Sequence, residues 1–73
     1  MLIITRRVSQ SFLIMPHPTL DPATPIAELF SRGPIAVSVE QVSGARVKFG
    51  VAADQRLLIL REELHLEVRP ETT

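Results

Sequence analysis

The sequence predicts a mostly β protein: five short antiparallel strands plus one short inserted helix, in a single domain over residues 1–68. Three observations predict it. Residues 35–42 and 45–51 alternate apolar and polar side chains on either side of Ser43-Gly44, the period-2 pattern of a half-buried hairpin. Met1–Val8, Ser11–Met15 and Gln55–Arg61 are short aliphatic stretches bounded by turn residues, which read as further strands. One stretch, Thr24–Gly33, carries the start and stop signals of a helix.

Met1–Val8 places Leu2, Ile4 and Arg6 on one face and Ile3, Thr5 and Arg7 on the other. Each face ends in a cation. This fits an edge strand whose charges block aggregation, or an edge left open for a ligand with Arg6 and Arg7 as donors. Ser9-Gln10 makes a turn, and the next strand is close enough to form a hairpin with the first. Pro16 and Pro18 remove ladder donors and end that strand, with His17 as a solvated loop residue between them. In the helical stretch, over about residues 24–32, Thr24 is placed to cap and Pro25 to take the first helical position. Gly33 and Pro34 end it. So short a helix needs tertiary support, so Leu29 and Phe30 are expected to lie on the sheet. In the hairpin, alternation favours a three-residue loop, Ser43-Gly44-Ala45, opposing Glu40 to Lys48 and Val39 to Phe49. Gly50 then points outward, where a close neighbour is tolerated. In the last strand Leu57–Leu60 is apolar without alternation, so both faces are expected to be covered, one of them by a second subunit. Glu62–Val68 is equally compatible with a helical turn or an edge segment, and residues 69–73 are expected to be a disordered tail.

Seventy-three residues make a marginal core, which disulfides, a metal or self-association must supplement. There is no Cys, and neither His17 nor His65 has a ligand-spaced neighbour, so self-association remains and no cofactor is expected. Net charge is zero, which argues against attachment to nucleic acid by bulk charge and leaves local arginine clusters: Arg6-Arg7, Arg46-Lys48, Arg56 and Arg61. No apolar run approaches the ~18 residues that span a bilayer. The N-terminus is apolar first and basic second, the reverse of a secretory signal, so a cytoplasmic protein is expected. Nucleophile-elbow, thiol and phosphate-loop motifs are missing, and adjacent Glu62 and Glu63 would point to opposite faces of a strand. A binding module is expected, not an enzyme. Arg61 stands out because a permanent cation there follows an aliphatic strand directly, so a rigid element would present its planar, multi-donor head.

Two segments carry a resemblance. MLIITRRV, followed by Ser-Gln-Ser and the apolar FLI, resembles the opening of the carbon storage regulator family of the CsrA/RsmA type. VSVEQVSGARVKFGVAADQRLLILREEL, from Val37 to Leu64, is similar to that family's remaining three strands, through Gly44, Val47–Val51 and the closing Arg61–Leu64. The resemblance implies a strand-sharing homodimer of a bacterial post-transcriptional regulator. Its partner would be RNA: GGA-containing hairpin loops of messages and small RNAs, controlling translation and message stability. It implies a site joining the first strand to the last, typically of the partner subunit: Ile4, Thr5, Arg6 and Arg7 with Ile59, Leu60, Arg61, Glu62 and Glu63, Arg61 being dominant. Residues 16–34, with the expected helix, replace a tight connection and resemble a divergent branch of the family. Asp54 stands where most relatives have Pro, Leu60 where many have His, and Ser9-Gln10 where Gly-Glu is usual.

Two other classes fit the residues alone. One is a protein-interaction or dimerisation module using Arg61, Glu62 and Glu63; the other is a swapped-hairpin DNA-binding regulator, against which the neutral charge weighs.

Overall fold

A computed structural model of the chain describes residues 1–64. It has five strands, β1 (Leu2–Arg7), β2 (Phe12–Pro16), β3 (Ala36–Ser43), β4 (Arg46–Ala52) and β5 (Leu57–Arg61), with a helical turn, α1 (Ile26–Leu29), between β2 and β3 and helical geometry again at residues 62–64. All strand pairs are antiparallel, in a three-stranded sheet of order β1-β4-β3 and a two-stranded sheet of β2 and β5. Of the stretch Glu62–Val68, which fitted either a helical turn or an edge segment, residues 62–64 are helical; the rest of it and the expected tail, residues 69–73, lie outside the described residues.

β1 and β2 do not form the expected hairpin. β1 pairs with β4 in the register Leu2↔Val51, Ile4↔Phe49, Arg6↔Val47, and β2 pairs with β5 as Phe12↔Arg61 and Ile14↔Ile59. The connecting turn is the reason. Ser9 has φ 76°, a left-handed conformation, and the Gln10 amide closes on the Arg7 carbonyl at 2.9 Å. The chain therefore leaves the first sheet instead of folding back along it. The sheets meet where the Phe12 and Phe49 rings pack 5.4 Å apart, tilted by 53°.

The β3–β4 hairpin keeps the expected pairing Val39↔Phe49 but not Glu40↔Lys48. Its loop is Gly44-Ala45, flanked by the pair Ser43↔Arg46, and a bulge at Glu40 brings Gln41 opposite Lys48. Gly44 has φ +60°, which suits a two-residue turn. The bulge absorbs the extra residue and returns the valines to one face. Gly50 is the close-approach position: a Cβ there would lie 2.6 Å from Met1 Sδ and 2.9 Å from Glu40 Oε2.

The helix is shorter than expected. Pro25, in extended conformation (φ −61°, ψ 140°), occupies the cap position, and Thr24 makes no capping bond there. Phe30 leaves helical geometry after four residues, Ile26–Leu29. Leu29 is half-buried, but Ile26 and Phe30 are exposed, so the apolar stripe does not lie on the sheet. Arg56 holds the turn instead. Its Nη1 donates to Glu28 Oε2 at 2.6 Å and its Nη2 to the Glu28 carbonyl at 3.2 Å, while Asp54 accepts from Nε and Nη2 at 2.9 Å each. Paired this way, the Asp54 carboxyl is held well below the usual carboxylate range and the Arg56 guanidinium above its ordinary value.

One described apolar side chain, Val51, is fully buried; the fold is only 14 Å deep in its thinnest direction. Leu57–Leu60 are all half-buried, so neither face of β5 is closed off within the chain. Val37 and Val39, on the same face as Val51 and Phe49, are 49% and 61% exposed.

Candidate nucleic-acid interface

The aliphatic run Leu57–Leu60 pairs along β2 and carries Arg61 to its end, opposite Phe12. Arg61 is exposed, as expected from its place after the run. Its backbone is held: the next amide, Glu62 N–H, donates to the Ser11 carbonyl at 3.1 Å. Beside this end stands the end of β1. Arg6 points to the interior with Ile4 and is 5% exposed. Its Nη1 and Nη2 donate to the two oxygens of Glu63 at 2.9 Å each, a bidentate pair. Nη1 also donates to the Ser11 carbonyl at 2.8 Å, and Nε to the Thr5 carbonyl at 3.1 Å. One guanidinium thus fastens three pieces of chain: β1, the β1–β2 turn and the residues after β5.

The hydrogen bonds from Arg6 and its charge hold the Glu63 carboxyl down at about 2, and Glu63 in turn raises Arg6 above its ordinary value. A depressed carboxylate contributes stability above its unfolded value of 4.5 and loses it as pH falls toward its folded value of about 2. Thermal melting followed by circular dichroism should therefore show wild type losing stability between those values. Glu63→Gln should lose less over the same range, retaining only the share that belongs to Asp54. Equal acid sensitivity in the two proteins would show that the pair does not stabilise the fold.

The expected site residues divide by face. Ile4 and Arg6 face inward. Thr5 and Arg7 are exposed on the opposite face of β1, opposite Lys48 and Arg46 of β4. Ile59 and Leu60 are half-buried on β5, and Glu62 is exposed beside Ser11. One edge of β1 is taken by β4; among the described strands none pairs with the other. A groove of about 380 Å³ is lined by Leu2 of β1 and by Leu57 and Ile59 of β5, with Val51 and Gln55. So the ends of β1 and β5 come together within one chain, through Arg6 and Glu63. Sequence reasoning missed the Arg56 hub, although Asp54 two residues before Arg56 is the signature of a side chain that closes a turn: Asp54 Oδ1 accepts the Arg56 amide at 2.9 Å.

The arrangement offers an exposed guanidinium, an aliphatic wall and, among the described strands, an unpaired strand edge. Among the described residues no cluster of potential metal ligands occurs, and no helix is long and apolar enough to cross a membrane. No curated protein and no solved structure matches the chain significantly. The family model that does match, over residues 1–70, is CsrA, described as a global regulator protein family. By that match, and with five antiparallel strands, the chain belongs to the carbon storage regulator family, RNA-binding proteins that regulate after transcription.

Proposed function

We propose that this protein acts in the cytoplasm as a homodimer that reads GGA in hairpin loops of message leaders and small RNAs, and so controls translation and message stability. The observation that carries this reading is Arg61, exposed at the mouth of β5 and fastened through Ser11, Glu63 and Arg6 to the end of β1. Single-stranded loops are where proteins read RNA sequence, because splayed bases expose their pairing edges. The strand edge beside Ile4, Thr5 and Arg7 meets those pairing edges with backbone groups. Ile59 and Leu60 cover base faces, and Arg61 stacks on a base or grips the backbone. Glu62, beside Arg61, accepts from a base amino group. Arg6 has most of its donors engaged, so its part is to hold Arg61 and the edge of β1 in register with Glu63.

The second copy covers the half-exposed apolar face of β3 and the open faces of β5. A chain with one fully buried apolar side chain among its described residues needs such a partner. The turn α1 between β2 and β3 supports placing the protein with the branch of the family that has a helix inserted there. The test is competition in a gel shift: an unlabelled GGA hairpin should displace a labelled one, and the same hairpin with an altered loop should not.

A further inference from the structure

The outer face of the three-stranded sheet carries charge that the site above does not use. Arg7 of β1 lies directly opposite Arg46 of β4, which lies opposite Ser43 of β3. One step along the strands, Thr5 lies opposite Lys48, which lies opposite Gln41. Cross-strand partners share a face, so these six side chains form two adjacent rows. All six are exposed. Among the described residues none of the three cations enters an ion pair; the three pairs formed there use Arg6 and Arg56. Glu40 is at the far end of the face, where its carboxylate accepts from Ser38.

This arrangement works against the fold. Like charges directly opposite across a ladder destabilise it, and Arg7 faces Arg46 with no acid between them. Proteins that break such a local rule commonly do so at functional sites. The rows also fit one kind of ligand. They are two residues, about 7 Å, apart along the strands, and each crosses three strands set ~4.8 Å apart. That spacing suits successive phosphates along one nucleic-acid strand. Each row offers cations together with a hydroxyl or amide, the usual set for phosphate oxygens. Thr5 and Arg7 belong both to these rows and to the proposed loop site, so the two surfaces are continuous.

We infer that Arg7, Arg46 and Lys48, with Thr5, Ser43 and Gln41, form a track for the phosphate backbone of the RNA stem that flanks the bound loop. This deepens the RNA-binding reading and rests on it for the identity of the ligand. The track adds affinity without sequence information, because phosphates are the same in every stem.

Arg46→Gln/Lys48→Gln tests it on the full chain, with a GGA stem-loop titrated at several salt concentrations and the RNA-free protein melted in parallel. Each lost phosphate contact lowers the slope of log K against log salt by ~0.7–0.9, so the double variant should lose about 1.4–1.8. The same slope corresponds to a roughly 25- to 60-fold weaker affinity at 0.1 M salt. The preference for GGA over an altered loop should be unchanged, and the melting temperature unchanged or higher. Unchanged affinity and slope would overturn the track and leave a merely solvated face. A lower melting temperature, or lost GGA preference, would overturn it in favour of a structural or loop-reading role. Equal displacement by polyglutamate of matched charge would make the face a site for acidic protein. If wild type shows no GGA preference while the variant still loses slope, the loop reading fails and the track stands.

Discussion

Arg61→Ala should weaken binding to a GGA hairpin by ~1–3 kcal/mol, roughly five- to 150-fold, while leaving the melting temperature and the mass in solution unchanged. The size follows from what the side chain can do and the specificity of the loss from where it sits. Arg61 is exposed, and among the described residues it enters no ion pair, so its guanidinium is available to a ligand. Its backbone is fixed independently by the pair Phe12↔Arg61 and by the bond from Glu62 N–H to the Ser11 carbonyl. Removing the side chain therefore leaves the strand in place. Arg61→Lys should recover only part of the affinity, because an ammonium keeps the charge but not the planar fork. Gel shifts with both variants check this; an Arg61→Ala protein that binds like wild type would remove Arg61 from the interface.

Replacing Val37 and Val39 together with Lys should break the proposed dimer. Both valines share a face with Val51 and Phe49, yet stay about half exposed in one chain. A two-fold interface presents each substitution twice, so four valines lose their cover. Burying the remaining half of each is worth about 1 kcal/mol, some 4 kcal/mol in all, or roughly a thousandfold in the dimer dissociation constant. Charges at the same positions add a desolvation cost to that loss. Sedimentation at micromolar concentration should show monomer, with a lower melting temperature than wild type. A variant that stays dimeric and equally stable would put the second copy on another surface.

Much of this structure was legible in the sequence, for identifiable reasons. The five strands follow from period-2 alternation and turn residues, which act locally. Val39↔Phe49 follows from keeping valines on one face. What alternation cannot show is a bulge: Glu40 takes up one residue, so the same inward set fits a two-residue loop. The choice of strand partners was also hidden. Nearness in sequence favoured pairing β1 with β2, but Ser9 in a left-handed conformation redirects the chain, and Ser is not the residue that announces it. The start of α1 was set too early because Pro25 is compatible with both the cap and the first helical position, and its end too late because Phe30 leaves helical geometry three residues before Gly33.

In the candidate site, Arg61 could be read from its position after an aliphatic strand. Alternation also put Arg6 and Arg7 on opposite faces, but which of the two faces turns inward could not be read. The structure turns the face of Arg6 inward to Glu63 and leaves Arg7 exposed opposite Arg46. Arg56 was hidden for a related reason: its partner Glu28 is 28 residues away in the chain, and no local pattern links them.

The most direct measurement is the relative affinity of the intact protein for two stem-loops that differ only at GGA, taken at a salt concentration high enough to suppress backbone attraction. The GGA loop should keep binding while the altered loop is released. Equal affinities that fall together as salt rises would contradict it, leaving a protein that senses charge and reads no bases.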